Sequence, residues 1–145
     1  MAILGIDPGK SGALALVDET GVVELPFKLD NTERDIWECL KSWRPQIEFA
    51  YLEKVHSMPK QGVVSSFKFG QSYGFLRGVL IAVEIPWEAV TPQKWQGALS
   101  CRTKGDKNIT KARAQELFPD VRVTHALADA LLIAEYGRRS RDASN

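Results

Sequence analysis

Cysteine is scarce in this chain of 145 residues, and long apolar runs are missing. Cys39 and Cys101 lie far apart and form no Cys-x-x-Cys pair, so neither a disulfide framework nor a zinc ribbon is indicated. No run approaches the roughly 18 apolar residues that a membrane-spanning helix needs. The apolar start of the chain ends at Asp7, too early for a signal peptide. We therefore expect a cytoplasmic protein without membrane contact.

Charge of one sign is also missing overall, because 19 basic and 18 acidic residues leave a net charge of +1. The distribution is uneven: residues 1–53 carry ten acidic and five basic side chains, whereas residues 94–113 have a balance of +5. The basic residues of this second segment are Lys94, Arg102, Lys104, Lys107, Lys111 and Arg113. Such a cluster can neutralise phosphates. The alternative interpretation is an ordinary solvated face.

Length and patterning predict one α/β domain over residues 1–145. Apolar runs predict strands over residues 2–6, 13–17, 22–27, 49–52 and 85–90. Helical patterns are found over residues 32–42, 63–83, 108–118 and 125–139, with a loop over 54–62 and a frayed tail over 139–145. The predicted helix caps are Asn31 or Thr32, Asn108 or Thr110, and Thr124. The order of elements indicates a mixed sheet of five strands, three antiparallel and then two parallel, flanked by helices.

Glycine recurs every four residues within the predicted helix 63–83, at Gly70, Gly74 and Gly78. Each glycine destabilises a helix by roughly 0.8–1.0 kcal/mol relative to alanine, so three on one stripe suggest a packing reason. The stripe could face the sheet, a partner subunit or DNA.

Acidic residues follow two predicted strands and lie on the last helix. Asp7 follows the first strand, Glu53 follows the fourth, and His125 and Asp129 lie one helical turn apart. Because ligands of α/β sheets bind at strand ends, these groups could meet there and hold Mg²⁺. Each has an ordinary alternative: Asp7 as a turn residue, Glu53 as a surface residue, His125 as a cap. Asp129 lies among apolar neighbours, where an unpaired carboxylate is costly, so it is the hardest to explain otherwise.

Two phosphate-binding motifs come close to matching the first turn. Gly9-Lys10-Ser11 resembles a P-loop, but only three residues separate Gly5 from Gly9 where the motif needs four. Asp7-x-Gly9-x-x-Gly12 resembles the first phosphate loop of actin-like ATPases, whose two domains do not fit into this chain length. An actin-like nucleotide-binding domain therefore remains a minor alternative.

Five motifs in order carry a resemblance that spans residues 3–137. They are Gly5-Ile6-Asp7-Pro8-Gly9, Tyr51-Leu52-Glu53-Lys54-Val55, Phe69-Gly70-Gln71-Ser72-Tyr73-Gly74, Val90-Thr91-Pro92-Gln93-Lys94-Trp95 and His125-Ala126-Leu127-Ala128-Asp129-Ala130-Leu131-Leu132-Ile133-Ala134. With these motifs the chain resembles the RuvC family of Holliday junction resolvases, and above all its short phage-type members. The resemblance implies a ribonuclease H-like fold in the cytoplasm of a bacterium or a phage-infected host.

The resemblance also implies a mechanism. Family members are homodimers that nick four-way DNA junctions symmetrically with Mg²⁺ or Mn²⁺, two ions per site, and without a small-molecule cofactor. Asp7, Glu53 and Asp129 match the metal-binding acids of the family. The remaining family ligand lies three residues before the last acid, where this chain has Ala126, so His125 is assigned that role from the neighbouring position.

The family further implies a lysine near the scissile phosphate, for which Lys107 and Lys111 are both candidates. Phe67, Phe69 and Tyr73 could stack on bases at the junction centre, although core packing is the alternative. Two rival functions stay open at this point. One is a nuclease of the same fold that acts on RNA–DNA hybrids or on branched DNA in general, and the other is a junction-binding protein without activity.

Overall fold

The computed structural model of the chain describes residues 1–55 and 62–144. Within these ranges the strands are β1 (Ala2–Asp7), β2 (Ala13–Asp18), β3 (Gly21–Val22), β4 (Phe27–Lys28), β5 (Ile47–Glu53) and β6 (Trp87–Val90). The helices are α1 (Glu33–Trp43), α2 (Val63–Ala82), α3 (Pro92–Ala98), α4 (Lys107–Leu117) and α5 (His125–Ser144), and a 3₁₀ turn joins α1 to β5. Most of the loop predicted over 54–62 lies outside the described residues.

The strands form one mixed sheet in the order β3-β2-β1-β5-β6. β1 is antiparallel to β2 and parallel to β5, and β5 is parallel to β6. This confirms the predicted α/β class and the order of antiparallel before parallel strands. The predicted third strand is divided into β3 and β4, which both pair with β2, so the sheet has six strands rather than five. Pro26, which lacks an amide hydrogen, lies in the break.

Each face of the sheet has its own apolar core. Alternate residues of β1 enter opposite cores, with Ile3 on the side of α5 and Leu4 and Ile6 on the side of α1 and α2. α5 crosses β1 at Gly5, where an added Cβ would overlap backbone atoms of Ala130 and Ala134. The absence of a side chain at Gly5 therefore lets α5 lie directly on the central strand.

The glycine stripe of α2 points away from the protein. Among residues 1–55 and 62–144, an added Cβ at Gly70, Gly74 or Gly78 would have no neighbour within 4 Å. α2 packs on the sheet instead through Leu76, Val79 and Leu80, so the alternative in which the stripe packs against the sheet is wrong. Apolar side chains on the same helix are also exposed, namely Val63, Val64, Phe67 and Ile81.

Helix boundaries differ from the prediction in three places. The short helix α3 was not expected; Thr91 caps it by accepting the Lys94 N–H at 3.2 Å. α4 is capped by Asp106, which accepts the Asn108 N–H at 3.0 Å, so the predicted caps Asn108 and Thr110 are wrong. Asp106 is the cap because its carboxylate precedes the first helical turn and faces the free N–H groups there.

α5 begins directly after Thr124, as predicted, but extends to Ser144 instead of ending near residue 139. Ion pairs lengthen it, because Arg138 contacts Glu135 and Asp142 while Arg139 contacts Glu135. The cap of α1 is Thr32, which accepts the Asp35 N–H at 3.1 Å and settles the choice between two predicted residues. In the described part of the chain, no helix is both long enough and apolar enough to cross a bilayer.

Candidate active site

Three carboxylates meet at one end of the sheet. Asp7 ends β1 and Glu53 ends β5, and these two strands are parallel neighbours in the sheet. Asp129 lies in the second turn of α5, which the close approach at Gly5 holds against β1. The predicted convergence of these acids is therefore present in the fold.

The acids disturb one another's ionisation. Burial raises the pKa of Asp7 well above its usual range, and the carboxylates of Asp129 and Glu53 raise it further, against the opposing charge of Lys107. Burial likewise raises the pKa of Glu53 to about 7, opposed by a hydrogen bond from Trp95 and reinforced by Asp129. The three negative charges thus lie close together in a poorly solvated place.

The pKa of Asp129 is also raised, mainly by burial. A hydrogen bond with the Thr110 side chain and the charges of Lys107 and His125 act in the opposite direction. Asp129 is therefore the acid with the most compensating neighbours, whereas Asp7 and Glu53 have one each. Asp7 is also the acid whose pKa responds to both of the others.

The donor set fits hard divalent cations. Within residues 1–55 and 62–144, no three His, Cys, Asp or Glu side chains are arranged to hold a single ion. The three acids nevertheless interact electrostatically, Asp7 with both Glu53 and Asp129, and Glu53 with Asp129. Carboxylate oxygens in pairs, with the remaining positions open to water or phosphate, suit Mg²⁺ or Mn²⁺.

A cavity of about 550 Å³ adjoins Asp7 and Asp129. Its remaining lining residues are Pro8, Gly9, Lys10, Ser11, Gly12, Phe69, Lys107, Thr110, His125 and Ala126. The wall formed by the β1–β2 turn depends on Gly9, whose φ of +101° disfavours other residues. The ring of Phe69 lies over this glycine, where an added Cβ would be 3.4 Å away.

Only one of the two candidate lysines lies at the cavity. Lys107 begins α4, lines the cavity and lowers the pKa of both Asp7 and Asp129. Lys111 is one turn later on α4, partly buried, and is not among the lining residues. His125 and Ala126 both line the cavity, so the one-residue shift of the histidine keeps it beside Asp129.

The other basic residues of the 94–113 segment differ in whether their side chains are exposed or bound within the protein. Lys94, Arg102 and Lys104 are exposed. Arg113 is held within the protein, because its guanidinium donates to the Leu99 carbonyl at 2.9 Å and to Glu116 at 2.7 Å.

The three predicted aromatic residues also differ. Phe67 is 66% exposed on α2. Phe69 reaches the cavity and stacks with Tyr73, the two ring centroids being 6.4 Å apart with 15° between the planes. The structure thus brings Phe69 to the candidate site and leaves Phe67 on the surface.

Neither a protein-family model nor a curated protein matches the sequence. Solved structures do match over nearly the whole chain. RuvC of Thermus thermophilus is 18% identical, with 99% of this chain and 97% of that chain covered and a TM-score of 0.66. The chain has the RuvC fold.

Two further structures share this fold, and both contain DNA. T. thermophilus RuvC in complex with a Holliday junction substrate is 19% identical, with 99% of this chain and 98% of that chain covered and a TM-score of 0.67. A Fowlpox virus resolvase in complex with Holliday junction DNA is 16% identical, with 97% of this chain and 99% of that chain covered and a TM-score of 0.54. The ribonuclease H-like RuvC fold predicted from the five motifs is confirmed.

Sequence reasoning missed two side chains that lie beside the clustered acids. Trp95 donates its indole N–H to Glu53 at 2.8 Å. Thr110, predicted only as a possible cap, is buried in α4, where its hydroxyl donates to the Lys107 carbonyl at 3.2 Å and helps to lower the pKa of Asp129. A tryptophan in a buried segment needs an acceptor for its N–H, which was a usable clue, but its partner lies 42 residues away in sequence.

Proposed function

We propose that this protein is a metal-dependent endonuclease that resolves four-way DNA junctions by paired, symmetric nicks. One observation carries the proposal: Asp7 and Asp129 line a cavity together with Lys107 and Phe69, and Glu53 lies close enough to interact electrostatically with both acids. The fold shared with T. thermophilus RuvC and the Fowlpox virus resolvase, both determined with Holliday junction DNA, supports the choice of substrate.

Two pairs of carboxylates would hold the metal, Asp7 with Glu53 and Asp7 with Asp129. Two Mg²⁺ or Mn²⁺ ions bound there would activate water and stabilise the charge that develops on the scissile phosphate. His125 lies at the cavity within one helical turn of Asp129, as a further ligand or as the base that accepts a proton from the attacking water. Lys107 supplies a positive charge at the phosphate.

In this proposal the DNA path follows basic residues of the 94–113 segment, of which Lys107 lines the cavity. Lys94, Arg102, Lys104, Lys107 and Lys111 would contact phosphates, and Phe67, Phe69 and Tyr73 would stack on bases near the branch point. Arg113 was predicted as another phosphate contact, but its bonds to Leu99 and Glu116 favour a role in holding α4 beside α3.

A homodimer gives the two cuts their symmetry, because two equivalent sites can meet two equivalent strands. The exposed face of α2 is the surface that would join the copies. Its glycine stripe permits close approach of a second backbone, and Val63 and Ile81 add apolar area.

The test uses a labelled four-way junction, a flap, a fork, an RNA–DNA hybrid and a matched linear duplex, each with and without Mg²⁺ or Mn²⁺. We expect paired nicks near the branch point of the junction, an intact duplex, and no cutting without metal. Asp7→Asn should bind the junction and cut nothing, whereas Asp120→Asn, at an exposed loop position, should cut normally.

Other outcomes would replace the proposal. Equal cutting of every branched substrate would indicate a general debranching nuclease, and cutting of the hybrid would indicate a ribonuclease. Junction binding without cutting in either metal would leave a non-catalytic binding protein. Full activity of Asp7→Asn would contradict the role of the acid cluster.

A further inference from the structure

Trp95 is fully buried, and its indole N–H forms a hydrogen bond with an acid of the candidate active site. Its Nε1–H donates to Oε2 of Glu53 at 2.8 Å. An indole N–H only donates, so this bond holds a definite oxygen of the carboxylate. Within the described ranges of the chain, no second side chain donates to Glu53, and Oε1 is free for another partner.

The backbone around this bond is held at several points. Glu53 pairs with Val90 at the parallel edge of β5 and β6, and the Lys54 N–H donates to the Val90 carbonyl at 2.7 Å. Thr91 then caps α3, which carries Trp95 one turn later. The indole therefore stands at a fixed place relative to the end of β5.

We propose that Trp95 is a positioning residue that orients the Glu53 carboxylate for binding a divalent cation. The indole retains Oε2 and presents Oε1 to the cation, so that Glu53 binds through one oxygen. Hydrogen-bond donors and acceptors behind metal ligands generally have this effect, and their loss lowers metal affinity or activity about 10- to 100-fold. This inference rests on the proposed function, because it assumes that Glu53 binds a metal.

The competing explanation is that Trp95 only fills the core and that Glu53 happens to satisfy its N–H. Trp95 packs in the same core as Leu99 and Cys101, so a truncated side chain would disturb packing whatever the role of its nitrogen. The test must therefore remove the N–H and keep the shape. Replacement of Trp95 by 3-benzothienylalanine does this, since a sulfur atom takes the place of the N–H in a bicycle of nearly equal size.

The first measurement follows the indole N–H by NMR on protein labelled with ¹⁵N at its four tryptophans. Trp95→Phe identifies the Trp95 signal by its loss. We expect Mg²⁺ to shift this signal with the same midpoint that calorimetry gives for Mg²⁺ binding, and Glu53→Gln to abolish the shift. A Trp95 signal that does not respond while the wild-type protein binds Mg²⁺ overturns the proposal.

The second measurement compares Mg²⁺ affinity among variants. We expect the benzothienylalanine variant and Trp95→Phe to need about 10- to 100-fold more Mg²⁺ for half-maximal binding and cleavage. Cleavage should recover at saturating metal, and junction binding without metal should be unchanged. Trp43→Phe is the matched control, because Trp43 is buried in the core on the opposite face of the sheet.

The outcomes separate the two proposals. If the wild-type protein binds metal and cuts junctions, and the benzothienylalanine variant does so with unchanged affinity, Trp95 only packs and this inference alone fails. If the wild-type protein binds neither Mg²⁺ nor Mn²⁺, the proposed function and this inference both fail. Should Trp95→Phe not fold, the benzothienylalanine variant decides the question.

Discussion

Two helices of equal length are used in opposite ways in this protein. α5 and α2 each have 20 residues, but nine residues of α5 are buried and only three of α2. Small residues recur on both. On α5, Ala130 and Ala134 lie against Gly5 inside the molecule, whereas on α2 the glycines face outward, away from the other described residues.

The two helices therefore contribute differently: α5 is the more deeply buried, and α2 is mostly exposed. The acid that needs a fixed position, Asp129, is carried by the helix with the most extensive support. The exposed apolar and glycine surface lies on α2, the helix with fewer buried residues. A precise site is best built on rigid elements, which agrees with the place of Asp129 on α5.

The strongest test of this contrast is Gly5→Ala. The added methyl group would overlap the backbone of Ala130 and Ala134, which cannot move aside as a side chain can. We expect a loss of about 4 kcal/mol or more in the free energy of unfolding, measured with urea. Gly78→Ala, where an added Cβ meets none of the described residues within 4 Å, should change it by no more than about 1 kcal/mol. A similarly small loss for Gly5→Ala would mean that α5 is not locked on β1.

The second test measures how the stability of the protein depends on pH, which reports on the buried acids. The pKa of Glu53 is raised from its ordinary 4.5 to about 7, so between these values the folded protein holds a proton that the unfolded chain has lost. Stability of the metal-free protein should therefore fall by up to roughly 3 kcal/mol as the pH rises from about 4.5 to about 7.

Glu53→Gln should flatten this pH dependence, while the raised pKa values of Asp7 and Asp129 leave a residual slope of the same sign. Mg²⁺ should restore stability above pH 7 in the wild-type protein. Urea unfolding at several pH values, with EDTA or Mg²⁺, measures both effects. An unaltered slope in Glu53→Gln would remove Glu53 from the buried cluster.

The third test compares two lysines on one helix. Lys107 lines the cavity and interacts with Asp7 and Asp129, whereas Lys111 does not line it. We expect Lys107→Ala to reduce the single-turnover cleavage rate about 10- to 100-fold, and Lys111→Ala to reduce it less than about threefold. A larger effect of Lys111→Ala would assign the phosphate contact to the second lysine instead.

The smallest expected effect on stability is at Gly74. Alanine has open space there and favours a helix by roughly 0.8–1.0 kcal/mol, so Gly74→Ala should stabilise the separate protomer slightly. The same methyl group should weaken the proposed dimer, which sedimentation across protein concentrations would detect. Ser72→Ala, on α2 but off the stripe, should leave association unchanged. A dimer that tolerates Gly74→Ala does not use this face.

The sequence predicted the elements whose patterns are long. β1, β2, β5, α1, α2 and α5 follow apolar runs or helical spacing, and strand ends placed Asp7 and Glu53 in one region. α3 has only seven residues, too few for its period to be visible. The division of the predicted third strand around Pro26 is visible only in its pairing, since both pieces pair separately with β2.

Finer features of the site depend on tertiary structure. Asp106, Asn108 and Thr110 could each cap α4 by residue type, and Asp106, the observed cap, was not among those predicted. Choosing Lys107 over Lys111 requires the rotation of α4 against α5. The glycine stripe had three compatible interpretations, and only its exposure excludes the sheet.

The position of Asp129 on α5 has a consequence for the newly made chain. A ribosome that has reached residue 124 has produced Asp7 and Glu53, but not the third acid or the helix that covers Gly5. In the proposed nuclease, cutting ability would appear only when the last helix docks, in one step with completion of the core. Truncated copies of such a nuclease would be inert toward the DNA of the cell that makes them.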